Sequence, residues 1–393
     1  MDTGTLVRTD SLWRPALRIG LGLWVATRIG FLLLAWLITG VRGPVGPQPA
    51  SGIGWPFSVY CRFDAGHFVR IAHYGFFSRG PSDTNVAFFP GYPMAGRLLS
   101  EAFGFGDVTR LDRLIAFALL AWVGAAVAAV LLWRYVADMA SPRAATVSVI
   151  VLLCGPYSLF FMASYSEGPF LALALAAWLC AYRQRWWWAG VLAAAATLVR
   201  INGLFLLGGL VVLFVLDARR ERRPVLRAEA LALTLPVLSV VGYFAWLHAR
   251  TGHWDAWMRA QRIGWQRGTV WPWQALRESI AHVWQPAPNP AVHFQSAMEL
   301  VFAAVYVAFL VALARRRRWP ELTYVGLGVA ALFTSSFYQS VPRSMLIAFP
   351  VFLVVGEWVT ATRRRWLVAV AAVLSAVVLA VNVACFVRGY FAG

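Results

Sequence analysis

Long apolar runs interrupted by short arginine clusters set the pattern of this chain. A helix needs about 20 apolar residues to cross a bilayer, and here runs of about 14 to 24 residues recur from end to end. They predict spanning helices over 16–40, 111–133, 144–163, 168–182, 186–200, 202–216, 229–249, 293–314, 319–337, 343–360 and 366–388. The expected fold is therefore an all-α polytopic membrane bundle of about eleven transmembrane helices, a single domain over 1–393. The stretch 186–216 reads either as one long helix or as two short ones parted at Arg200-Ile201-Asn202-Gly203. Two are preferred, because only two leave the flanking Arg clusters on one side. Two segments between spans are long, about 41–110 and about 250–292, and long loops in compact structures tend to carry function.

Composition sharpens this picture. Of 393 residues, 60% are hydrophobic and 13% charged, against about 45–50% and about 25% in soluble proteins. An ordinary soluble enzyme is excluded. The net charge of +18 comes entirely from arginine, since the chain has no lysine. Such a charge would suggest nucleic acid in a soluble protein. Here the arginines flank apolar runs, where they set orientation and meet anionic lipid headgroups, so no nucleic-acid partner is expected. With the N-terminus cytoplasmic, every dense Arg cluster falls inside: Arg134 and Arg143, Arg183 and Arg185, Arg219 to Arg227, Arg315 to Arg318, and Arg363 to Arg365. The run 19–40 is too long for a signal-peptide core and reads as the first span. The expected location is the cell membrane, multi-pass, with both long loops extracytoplasmic. Cys61, Cys154, Cys180 and Cys385 form no CxxC or Cys/His pattern, so neither a disulfide framework nor a zinc site is indicated.

The polar motifs then gather on the extracytoplasmic side. The first loop carries Arg62-Phe63-Asp64-Ala65-Gly66-His67-Phe68, one carboxylate within an aromatic wall. A partly desolvated Asp64 can act as a general base; equally, Asp is a favoured N-cap of a short interfacial helix. Phe88-Phe89-Pro90-Gly91-Tyr92-Pro93 reads as a bent aromatic start to an apolar segment that shapes a pocket rather than doing chemistry. Glu167 lies in a very short turn, and Arg200, before Asn202, in a neighbouring break. The two can pair, or both can sit at the wet interface. The second loop interleaves Trp with Arg259, Arg262 and Arg267 around Trp265. Arg suits phosphate by its fork geometry and Trp stacks on a sugar ring, although an amphipathic helix on anionic lipid has the same pattern. Gln339 and Arg343 occupy a last turn, where Arg343 can bind a lipid phosphate or snorkel to headgroups. None of the six histidines makes an HExxH or i,i+4 pair, and DxD, GxGxxG and Walker patterns are missing. No cofactor is expected, with a divalent metal left open.

Taken in order, RFDAGHF, IAHYGF, FFPGYP, YSEGPFLAL (165–173), TLVRINGL (197–204), the AQ…GWQRG segment and VPRSMLIAFP (341–350) resemble the PIG-V-like mannosyltransferases. These are bacterial relatives of the second mannosyltransferase of GPI-anchor synthesis, within the GT-C superfamily of membrane glycosyltransferases. Two positions depart from the family pattern: Phe63 stands for the usual Trp, and Ser344 for a frequent Tyr.

The resemblance implies a GT-C-like bundle, a polyprenyl-phosphate-mannose donor and a lipid or glycan acceptor. It implies inverting transfer to an α-mannoside, with Asp64 taking the acceptor proton. Arg343, Arg267 or Arg262 would hold the donor phosphate. Arg62, His67, Tyr92, Glu167, Arg200, Asn202, Trp265 and Gln339 would line the substrate pocket. Two other readings stand beside it: a GT-C transferase of another sugar, and a lipid or glycolipid transporter. A transporter should show paired repeats and mid-membrane charges, which this sequence does not display clearly.

Overall fold

The computed structural model describes residues 10–42, 57–104, 107–286 and 290–390. Among them the regular structure is helical apart from one isolated bridge, Thr269 with Ser335. Five helices are long and apolar enough to cross a membrane: Trp13–Thr39, Arg110–Met139, Ala228–Thr251, Pro290–Arg315 and Arg365–Val387. A sixth crossing is available if Val341–Ile347 and Pro350–Ala361, bent by 85° at their junction, act as one. The protein is thus an all-helical, multi-pass membrane protein.

The expected eleven spans are not all met by helices of spanning length, and the reasons are local. The run 144–163 is α-helical only over Pro142–Cys154, followed by a short 3-10 helix Ser158–Phe161, because Gly155-Pro156 ends the first: proline lacks the N–H the ladder needs and disfavours helix in the residue before it. Glu167–Tyr182 and Trp186–Val199 have 16 and 14 residues. At about 1.5 Å per residue neither covers the roughly 30 Å hydrocarbon core unaided. The expected span 343–360 is the bent pair just named, so Arg343 lies in a short turn before the bend rather than at the head of a straight helix. Two helices do flank the Arg200 break, Trp186–Val199 and Gly203–Arg220.

The described residues fall into two compact units. One is built from Met1–Arg62, Ala118–Leu175 and Arg343–Ala392. Its helices approach through small residues, as membrane helices do for want of a hydrophobic drive between them. A Cβ on Gly124 would come within 2.4 Å of the Pro169 backbone nitrogen, and one on Gly168 within 2.6 Å of the Ala121 carbonyl. The helix Arg110–Met139 and the turn that carries Glu167 therefore touch backbone to backbone.

The other unit comprises Phe63–Phe117 and Ala176–Pro342. Gly91 opens the helix Gly91–Gly104 with its backbone against the end of Trp186–Val199, where an added Cβ would meet the Leu198 carbonyl at 2.8 Å. The FFPGYP turn is seated by that contact. The helix Pro272–Trp284 buries Ala275 and Ser279 and exposes Trp273, Leu276, Ile280 and Trp284. The exposed four recur at helical spacing and form one apolar stripe.

Candidate functional site

Asp64 is the first residue of the helix Asp64–Tyr74, and the cap position falls on Phe63. The N-cap reading of Asp64 is therefore corrected by one residue. Phe63 has φ 55° and ψ −118°, a left-handed conformation that costs a side chain dearly. The chain accepts this strain to turn sharply into the helix, which sets Asp64 half-buried in the first turn. There the helix dipole favours a carboxylate.

His67 lies one turn further along the same face. Its Nδ1 is 2.9 Å from Asn85 Oδ1. The Asn85 amide is oriented by Asp83, which accepts from Asn85 Nδ2 at 3.2 Å and from the Asn85 backbone N–H at 3.0 Å. An amide oxygen only accepts, so Nδ1 carries the proton in this bond, and in the neutral imidazole Nε2 is the acceptor. The imidazole sits 5.2 Å from the Phe88 ring and 5.7 Å from the Trp265 ring. Phe88 is fixed in turn: the Tyr243 hydroxyl lies 2.9 Å from the Val86 and Phe88 carbonyls, and Trp257 Nε1 donates to Ala87 O at 3.0 Å. One side of an aromatic box thus carries the Asp64 helix and the other carries the second long segment.

Trp265 ends the helix Ala256–Trp265, and Gln266 caps it in the left-handed region. Two residues beyond Trp265, Arg267 donates to Gln339 Oε1 at 3.2 Å and to Gln339 O at 3.3 Å. Asp64, His67, Trp265, Arg267 and Gln339 all belong to this one unit. Arg262 is exposed on the same helix as Trp265. Tyr92 is buried, its hydroxyl donates to Phe117 O at 3.1 Å, and its ring packs 4.8 Å from Phe68. Arg200 is extended at the helix break, and the Asn202 carbonyl accepts from Phe205 and Leu206.

In the other unit, Glu167 Oε1 meets Arg343 Nε at 2.5 Å. The Arg343 guanidinium lies over the Tyr165 ring at 4.6 Å and the Phe160 ring at 5.0 Å. The Tyr165 hydroxyl donates to Arg62 O at 3.1 Å. Proximity in sequence suggested Arg200 for Glu167; the structure puts Arg343 against it. Arg62 is half-buried, and this burial lowers its pKa. Its Nε has no hydrogen-bond partner among the described residues.

Sequence reasoning passed over Asn85, Asp83 and Glu299. Glu299 is a buried carboxylate that accepts from the Ser340 and Val341 backbone N–H groups at 2.8 and 2.7 Å. A lone acid within an apolar run was its visible signal. Among the described residues no group of three or more His, Cys, Asp or Glu side chains could hold a metal ion.

The class these features define is a multi-pass membrane protein with a polar cluster at His67 walled by Phe88 and Trp265. Its relatives are more particular. No family model matches the chain. Over 152 residues it is 36% identical to GPI alpha-1,6-mannosyltransferase 2 of Cricetulus griseus and to that of Mus musculus. The human protein of that name is 33% identical over 151 residues. Each match spans 37% of this chain and 30% of the relative, so the chain matches less than a third of the length of these relatives. The resemblance read from the motifs is the same one. Among solved structures, the oligosaccharyltransferase AglB from Archaeoglobus fulgidus superposes with a TM-score of 0.46 at 12% identity, covering 94% of this chain and 56% of that one. ArnT from Cupriavidus metallidurans gives 0.37 at 15%, covering 93% and 77%.

Proposed function

We propose that the chain is a membrane glycosyltransferase that moves mannose from a polyprenyl-phosphate-mannose donor to a lipid or glycan acceptor. The observation that carries this reading is the 36% identity to mannosyltransferases over 152 residues, joined to a half-buried Asp64 on a constrained turn, one helical turn before the His67 that packs against Phe88 and Trp265. Asp64 takes the proton of the acceptor hydroxyl as its oxygen attacks the anomeric carbon. The anomeric bond to phosphate breaks, the lipid phosphate leaves, and the configuration inverts. The leaving group is already an anion-stabilised phosphate and needs no general acid.

Arg267, with Arg262 beside it in sequence, is the better-supplied partner for that phosphate. Arg343 already faces the Glu167 carboxylate, so its charge is neutralised and its part is to hold the Glu167 turn. Trp265 and Phe88 offer flat faces to the sugar, and Nε2 of His67 can accept a sugar hydroxyl. The clustering of arginine on one side of the spans supports a cytoplasmic N-terminus and a site on the extracytoplasmic face of the cell membrane.

Purified protein in liposomes, given polyprenyl-phosphate-mannose and a lipid extract, should form a mannosylated product. Asp64→Asn should lower the rate by about two to four orders of magnitude, the usual size of a general-base contribution. No transfer from any polyprenyl-phosphate sugar would sink the enzyme reading. A fully active Asp64→Asn would sink the base assignment alone.

A further inference from the structure

The connection between the helices Trp319–Phe333 and Val341–Ser344 has little regular structure, yet side chains hold it at nearly every step. Gly268 donates its N–H to Ser336 Oγ at 2.7 Å, and Ser336 returns a bond to Gly268 O at 3.1 Å. The Tyr338 N–H goes to the buried Ser279 Oγ at 2.7 Å. Arg267 holds both oxygens of Gln339. Glu299, from the helix Pro290–Arg315, then takes the next two amides: Ser340 on Oε1 and Val341 on Oε2. Pro342 follows and has no N–H to give.

A carboxylate inside a candidate span is costly and usually earns its place through function. Glu299 is 6% exposed. Its burial is offset by two charge-assisted bonds to backbone, and Arg267 lies within electrostatic range of it. Only a carboxylate presents two acceptor oxygens to two successive amides. A glutamine would turn an NH2 donor against one of them. Ser340 has φ 61°, a left-handed conformation unusual for serine, at the residue where this grip begins.

We propose that Glu299 is a positioning residue: it fixes Ser340 and Val341, so that Gln339 presents both its oxygens to Arg267 and sets where the Arg267 guanidinium stands for the donor phosphate. The phosphate half of this inference rests on the glycosyltransferase reading; the clamp itself does not.

Two measurements on the full-length protein in nanodiscs test it. Hydrogen exchange needs no turnover. Glu299→Gln should speed exchange at the Ser340 and Val341 amides by about tenfold or more, with Glu299→Asp between it and wild type and the spanning helices unchanged. Kinetics addresses the phosphate half. Glu299→Gln and Arg267→Ala should each raise the KM for polyprenyl-phosphate-mannose by about tenfold with a much smaller change in kcat, and the double variant should be no worse than the worse single one. Multiplying effects, or a change in acceptor KM instead of donor KM, would overturn the positioning role. Unchanged exchange in Glu299→Gln would overturn the clamp. Should that variant not fold, Glu299→Asp and Gln339→Ala carry the same comparisons. If wild type transfers nothing, the glycosyltransferase reading fails and exchange alone decides on the clamp.

Discussion

Glu167 and Arg343 stand 176 positions apart in sequence and meet at 2.5 Å, both buried. The guanidinium also lies over the adjoining Tyr165 and Phe160 rings, and both partners are buried. Removing one partner of such a pair strands the other charge in a low dielectric, at about 3–5 kcal/mol. Arg343→Ala or Glu167→Ala should therefore lower the unfolding temperature of the detergent-solubilised protein sharply. The combined Glu167→Leu and Arg343→Met variant should recover most of the loss. If Arg343→Ala melts like wild type, the pair has no structural role and a ligand role for Arg343 regains ground.

The backbone at Phe63 supplies a second test. Its φ of 55° suits glycine far better than a side-chain-bearing residue. Phe63→Gly should keep the unfolding temperature near wild type in spite of the lost ring, whereas a β-branched Phe63→Val should lower stability by a further 1–3 kcal/mol or so. Equal melting of the two variants would show that this turn relaxes at no cost.

The hydrogen-bond chain from Asp83 through Asn85 to His67 fixes a tautomer. Nitrogen chemical shifts of 15N-histidine-labelled protein at neutral pH should report a protonated Nδ1 at His67. Asn85→Leu should release that preference by removing the acceptor of the Nδ1–H; the Asp83 oxygen keeps the Ser78 hydroxyl and the Arg79 N–H, so stability should fall by only about 0.5–1.5 kcal/mol. A protonated Nε2 in wild type would overturn the assignment.

The stripe Trp273, Leu276, Ile280 and Trp284 is exposed on a helix whose end lies a few residues before the spanning helix Pro290–Arg315. Tryptophan favours the boundary between water and hydrocarbon. A spin label on Ile280→Cys, in a background without the four native cysteines, should be reached by oxygen from the bilayer and shielded from a water-soluble nickel quencher. A label on Arg277→Cys should be more open to nickel. The reverse order would place the stripe in water.

Much of this molecule is readable from its residues. Apolar run length gave most of the helices, Arg-Ile-Asn-Gly gave a break, and the motifs gave the relatives. Asp64 lay within one residue of its expected place at a helix start. What stayed hidden was pairing across long stretches of chain. Nothing near Glu167 points to Arg343, and nothing near Ser340 points to Glu299. The count of spans also failed locally, where an apolar run such as 144–163 contained its own terminator. The tie from the Tyr92 hydroxyl to the Phe117 carbonyl was equally out of reach, since the two lie 25 positions apart with no local signal.

The contact between Gly124 and Gly168 has a consequence for inheritance as well as for packing. An added methyl at Gly124 would strike backbone at 2.4 Å, and backbone cannot step aside as a long side chain can. The helix that carries Gly124 also exposes Val123 and Val127, positions free to drift among apolar residues of many sizes. Along this stretch of the gene, tolerance and intolerance alternate within a single turn of helix. The gentlest alteration available, glycine to alanine, is the one that would dislodge the turn holding Glu167, while a bulkier exchange one residue away would pass unnoticed.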